Sequence, residues 1–425
     1  MKKASSKNNK KRLEKLLTAL YGLMQQYDYF NKEICERYYR HTQTALQNAD
    51  KLFVSEVSDT LYYRLGHYQE LIGNYEQAKL FYQRNLEISR EVYGENHQEQ
   101  AFGLNNLGGI YDLQGNYDEA INLFKEALAI GEKTIGRENV HYPIWLSNLA
   151  NTYHSQGNYD EAINLLNQAL KIDEAINNKE STEHAIRLSN LAGVYDSQGN
   201  YNEAIELYKQ ALEIGSTATG TESPNYATDL NNLASIYDSQ GKYDDAIHLY
   251  KQALAIGEQT IGTEHPNYAI RLSNLAYVYD SAGKYNEAIE LYKQSIAIGE
   301  RTIGKEHPDY AIRLSNLAHV YDSIGNYDEA IELYKQSIAI NEKTIGKEHL
   351  DNSTDLYNLA LVYKNLGRHF DALPLFEEAM KICERNLPPD HPDIEMIKVC
   401  LLECKEETSH TDLDVEGERG DKPEI

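Results

Sequence analysis

Cysteine, methionine and tryptophan are scarce in this 425-residue chain, and so are basic charge and long apolar runs; each shortage removes a class of explanation. The four cysteines, Cys35, Cys383, Cys400 and Cys404, show neither CxxC nor CxxH spacing, so no disulfide framework and no zinc site is expected. Cys400 and Cys404 could share a helical face, yet two thiols are half of a structural zinc shell. A reducing cytoplasm suits this usage. Nowhere does an apolar run approach the roughly 18 residues of a membrane-spanning helix, so no membrane insertion is expected. The stretch Leu16–Met24, behind Lys10, Lys11, Arg12 and Lys15, faintly resembles a secretory apolar region. It lacks a small-residue cleavage site, and Tyr27 through Arg40 continue in helical style, so it reads as an amphipathic packing helix. With 41 basic against 66 acidic side chains the formal net charge is −25, which argues against nucleic-acid phosphates and anionic lipid as partners. P-loop, GxGxxG, GxSxG and HExxH sequences are missing as well, so neither an enzyme nor a cofactor is expected.

What the chain does have is repetition. Gly73, Gly115, Gly157, Gly199, Gly241, Gly283, Gly325 and Gly367 follow one another at a constant 42 residues, which means eight stacked units without an insertion. Each unit places a leucine eight residues ahead of the glycine (Leu65, Leu107 and on to Leu359) and Gly or Ala directly after that leucine. Five residues past the turn stands an alanine, Ala78 to Ala372, where a larger side chain would separate two crossing helices. An aromatic usually follows four residues later; Leu166 is the exception.

Helix boundaries can be read from the same units. In Glu264-His265-Pro266 and Glu306-His307-Pro308 the proline suits the first turn of a helix A, where its missing N–H would have no partner anyway. Helix A then runs to a segment such as Asp280-Ser281-Ala282-Gly283, and helix B from Tyr285 to about Ile303. The recurring His265, His307, His349 and His391 are one repeat apart, too far to share an ion, and are expected to cap or shape the loop. After unit eight, His391-Pro392 opens a terminal capping helix to about Glu403. The expected organisation is a disordered basic N-terminus at 1–9, a helical segment at 10–57, the repeat array with its capping helix at 58–404, and a disordered acidic tail at 405–425.

The pattern LxxLAxxY, then Gly, Ala, aromatic and Ala/Ser resembles a tetratricopeptide repeat. The 42-residue period, the LxNLAxxY helix and the G-K-E-H-P connection resemble the kinesin light chain type of that repeat. The resemblance implies an all-α fold, a right-handed superhelical solenoid of about eight helix-turn-helix repeats. It also implies a protein-interaction role, with Asn106, Asn148, Asn190, Asn232, Asn274, Asn316 and Asn358 contacting the backbone of an extended peptide in the concave groove.

On a helical wheel those asparagines stand opposite the leucine, small-residue and tyrosine positions. A carboxamide both donates and accepts, so a ladder of them could hold a peptide backbone without reading its side chains; alternatively each could bond to the next repeat and set the stacking angle. Asp112, Asp196, Asp238, Asp280 and Asp322 close the same helices. They would favour a partner with Lys or Arg, or else serve the local turn. Arg187, Arg271 and Arg313, with Trp145 in their place in unit three, are expected to pair with acids of the adjacent helix B or to grip a partner's carboxylates. The positions that vary most, Gly109, Asn151, Gly193, Ser235, Tyr277, His319 and Leu361, could carry specificity. Three functions compete. A cytoplasmic adaptor or scaffold leads; a ligand-responsive regulator acting on segment 10–57 comes second; an enzyme comes last, since the aspartates have no neighbouring nucleophile. No heptad segment for joining kinesin heavy chains is present, so a stand-alone adaptor is expected.

Overall fold

The computed structural model describes the backbone of residues 2–25, 32–176, 178–389 and 391–417, and the side chains of residues 9–23, 38–176, 178–389 and 391–408. Met1, residues 26–31 of the expected helical continuation, and residues 418–425 of the expected tail lie outside them. The described residues are all-helical and fall into two compact units, Met1–Ala218 and Thr219–Ile425.

The first unit holds α1 (Lys2–Gln25), α2 (Lys32–Ala49), α3 (Glu56–Leu71), α4 (Tyr75–Tyr93), α5 (Gln98–Leu113), α6 (Tyr117–Thr134), α7 (Tyr142–Ser155), α8 (Tyr159–Ala175), α9 (Thr182–Ser197) and α10 (Tyr201–Ala218). The second holds α11 (Pro224–Ser239), α12 (Tyr243–Thr260), α13 (Pro266–Ser281), α14 (Tyr285–Thr302), α15 (Pro308–Ser323), α16 (Tyr327–Thr344), α17 (Leu350–Asn365), α18 (His369–Asn386) and α19 (Pro392–Gly417). From α3 to α18 the odd-numbered helices are the helices A of the sequence pattern and the even-numbered ones the helices B. Each A packs most heavily on its own B, and within a unit each B also packs on the next A, the stacking of a helical solenoid.

Local chemistry explains the boundaries. Gly283 closes α13 at φ +71°, a conformation costly for any residue with a Cβ, and lets its own N–H and that of Lys284 bond back to the carbonyls of Asp280 and Tyr279. Helix A begins at a histidine whose ring accepts: Nδ1 of His265, His307, His349 and His391 takes the backbone N–H two residues on, at 3.1 to 3.3 Å. The histidines are caps, as expected from their spacing. The repeated alanines Ala78, Ala120, Ala162, Ala204, Ala246, Ala288, Ala330 and Ala372 have no exposed surface. Beside them Tyr82, Phe124, Tyr208, Tyr292, Tyr334 and Phe376 are almost completely buried.

The ends differ from the sequence-based outline. Residues 2–9, expected to be irregular, belong to α1, since no glycine or proline interrupts them. α1 and α2 share a core with the first repeat, with Leu17, Leu20 and Leu46 packed among Leu61, Leu65 and Phe81. At the other end α19 continues past Glu403 to Gly417. Cys404 and Thr408 are buried, Thr408 Oγ1 donates to the Cys404 carbonyl at 3.0 Å, and Lys405 pairs with Glu377 of α18. Among the described residues no helix is long and apolar enough to cross a membrane.

Candidate functional site

The asparagine series lies along the odd-numbered helices, three in the first unit (Asn106, Asn148, Asn190) and four in the second (Asn232, Asn274, Asn316, Asn358). Each is half-buried next to a leucine that is nearly or wholly buried. Asn148 Nδ2 donates to Asn105 Oδ1 at 2.9 Å, and Asn274 Nδ2 to Asn231 Oδ1 at 3.1 Å. These bonds form where the preceding repeat carries a second asparagine just ahead of its own series member; the equivalent residues elsewhere are Ser147, Ser189, Ser273, Ser315 and Tyr357. The bond between repeats thus exists at two stations. It uses one donor of each carboxamide and leaves its oxygen and second N–H. Asn106, Asn190, Asn232, Asn316 and Asn358 make no side-chain hydrogen bond among the described residues.

The aspartates stand near the C-terminal ends of the odd-numbered helices. Asp112, Asp196, Asp238, Asp280 and Asp322 are half-buried, and burial pushes each carboxyl above its ordinary range. Neighbouring repeats oppose the shift: Thr152 of the following repeat for Asp112, His154 of the preceding repeat for Asp196, and His319 of the following repeat for Asp280. His319 Nε2 stands 3.8 Å from Asp280 Oδ2. Of the variable positions, Tyr277 is 54% exposed and His319 is exposed too, available to a partner without desolvating a core.

A seam inside each unit separates the three arginines that the sequence presents as equivalents. Along it a residue of helix A meets the residue 14 positions earlier on the preceding helix B. Trp145 fills the space over Gly131, where an added Cβ would come within 2.2 Å of the indole. Arg187 forms the expected pair with helix B: its Nε and Nη2 donate to Asp173 at 2.6 and 2.5 Å, and His184 Nδ1 lies 3.0 Å from the same carboxylate. Burial alone would raise the Asp173 carboxyl, but bonds from His184 and Arg187 hold it below its usual range. Arg271 and Arg313 meet Gly257 and Gly299 instead, and the Nη1 of each has no hydrogen-bond partner. Asp355, at the same seam, accepts from Ser315 and Ser337 at 2.5 Å each and sits 3.4 Å from Asn341 Nδ2.

Two adjoining clefts in the first unit run over α3, α5 and α7. One, of about 400 Å³, is lined by Asp59, Asn85, Glu99, Phe102, Asn106 and Trp145 among others. The second, of about 340 Å³, continues past Asn106 to Asn148 and Asn151. In the second unit Asn358 lines a cleft of about 420 Å³. Asp59 is nearly buried and accepts from Asn85 Nδ2 at 2.8 Å; burial, then the nearby Glu99, push its carboxyl up to about 7. Neither acid stands out in the sequence: Asp59 lies in the degenerate unit one, and Glu99 at the start of α5 in unit two. Among the described residues no group of His, Cys, Asp and Glu could hold a metal ion.

The comparisons agree with this architecture. The tetratricopeptide repeat family model matches residues 57–133, 115–175, 142–217, 180–259, 226–301 and 282–343, and a second tetratricopeptide repeat model matches 356–393. A crystal structure of a point variant of the nearly identical TPR-like repeats of a Podosopora anserina putative kinesin light chain is 31% identical, with a TM-score of 0.44, over 48% of this chain and 96% of that one. The apo quorum sensor NprR from B. thuringiensis is 17% identical, with a TM-score of 0.61, over 89% of this chain and 99% of that one. A Rap protein complexed with Competence and Sporulation Factor is 17% identical, with a TM-score of 0.50, over 94% and 99%. At 17% identity the last two share the fold alone. No curated protein matches the chain.

Proposed function

The chain belongs to the tetratricopeptide repeat family, and from that premise we propose that it is a non-enzymatic cytoplasmic adaptor that holds an extended peptide or a protein segment along its helix A faces. The observation that carries this reading is the asparagine series. Carboxamides with spare donors and acceptors line clefts at Asn106, Asn148 and Asn358. Such groups, half withdrawn from water, match the alternating N–H and C=O of an extended chain and take no account of its side chains. Exposed Tyr277 and His319 then discriminate between partners, and the half-buried Asp196, Asp238, Asp280 and Asp322 favour those with basic residues. The Rap protein, which shares this fold, has a structure in complex with Competence and Sporulation Factor. α1 and α2 share a core with α3 and α4, which supports the scaffold reading over that of a regulator acting on segment 10–57.

Backbone recognition has a direct signature. Peptides selected from a random library on the intact chain should lose affinity when single backbone nitrogens are methylated, by roughly two- to tenfold for each hydrogen bond removed. Replacing most of their side chains by alanine should cost less. Calorimetric titration of both series decides: if methylation is harmless at every position, the ladder does not read the backbone.

A further inference from the structure

Gly103 breaks the seam rule of the first unit. At Trp145/Gly131 and Arg187/Asp173 one member of the pair fills the space between helices A and B. Gly103 stands at the corresponding place on α5, and the residue 14 positions before it is Ser89, so both members are small. Asn85 and Leu86 stand over Gly103 instead, and Gly103 and Asn85 both line the cleft of about 400 Å³.

Its lining is selective. Asp59 from α3, 6% exposed, and Glu99 from α5 put two carboxyl groups on the cleft, and no lysine or arginine lines it. Asn85 orients Asp59 by donating to its Oδ1 and its carbonyl, both at 2.8 Å. Opposite chemistry comes from the rings of Phe102 and Trp145, packed edge to face with centroids 5.2 Å apart. Acids beside aromatic faces in a partly dry space suit a planar, weakly hydrated cation, which can bond to carboxylates in its plane and stack by its face. A compact ammonium keeps its water more tightly and gains less. Asn106 lines the same cleft, so a chain bonded to the ladder there stands at its opening.

We propose that this cleft is a specificity pocket for an arginine side chain of the bound partner, with Asp59 and Glu99 receiving the guanidinium and Phe102 and Trp145 flanking it. The inference rests on the groove reading for the identity of the partner, but the pocket can be tested alone. Trp145 is the chain's single tryptophan, so its emission reports on this site without a label. The probes are N-acetyl-arginine N-methylamide and its neutral citrulline counterpart, titrated into the full chain. The arginine amide should change Trp145 emission saturably and the citrulline amide should not. The Asp59→Asn, Glu99→Gln double variant should bind the arginine amide at least roughly tenfold more weakly, as expected for the loss of charge-assisted bonds. Equal responses to both amides, or no response to either, overturn the proposal with the unaltered chain and without reliance on how the variant folds. Failure of the ladder would leave this titration unchanged while backbone methylation became harmless; failure of the pocket would do the reverse.

Discussion

Arg187→Ala should destabilise the first unit by about 3–5 kcal/mol, the usual consequence of stranding one charge of a buried pair. Asp173 is 0% exposed and Arg187 3%, so no water replaces the guanidinium, and His184 alone remains to face the carboxylate. The converse change tells the mechanism. Asp173→Gly re-creates at this seam the pairs Arg271/Gly257 and Arg313/Gly299, in which a buried arginine lies against glycine without a carboxylate. It should therefore cost clearly less than Arg187→Ala, although it removes the same ion pair. Hydrogen-exchange protection of α8 and α9 reads both; equal losses would mean that the pair, and not the stranded charge, dominates. The Asp173 carboxyl is held below its ordinary value, so its contribution is complete above the unfolded value near 3.8 and is lost as pH falls through the folded one. Wild type and Arg187→Ala should accordingly converge in acid.

Asp355→Asn should act with the opposite sign. Burial pushes the Asp355 carboxyl up to about 6, and bonds from Ser315 and Ser337 only partly offset this. With the folded value above the unfolded one, the folded state binds the proton more tightly, so the second unit loses stability as pH rises from about 4 through about 6. The two values differ by roughly two units, or about 3 kcal/mol at most. Asparagine keeps an acceptor for one serine and carries no charge. The variant should thus melt above the wild type at pH 8 and lose that advantage near pH 4; an advantage independent of pH would assign the effect to packing instead.

These contrasts show which parts of the molecule its sequence reveals. Gly283, Pro266 and His265 each act through local backbone geometry, so their meaning survives in a one-dimensional pattern, and α13 begins and ends where they place it. The alanine series was legible for the same reason, as a small residue repeated at a fixed phase. Arg187 and Arg271 were not separable by inspecting their own helices, because what distinguishes them, Asp173 or Gly257, lies 14 residues away on a different helix. The cleft at Asp59 and Glu99 was hidden likewise: its lining comes from α3, α4, α5 and α7, and these residues meet only when the helices pack. The extension of α19 past Glu403 depends on Cys404 and Thr408 burying themselves, which polar composition does not foretell.

The most direct test of the account compares a library-selected peptide's affinity for the intact chain with that for an Asn106→Ala, Asn148→Ala, Asn190→Ala variant of equal helical content by circular dichroism. Two or three lost backbone bonds predict a drop of roughly tenfold or more. Unchanged affinity would contradict the account, leave the asparagines as spacers between repeats, and move the binding surface elsewhere.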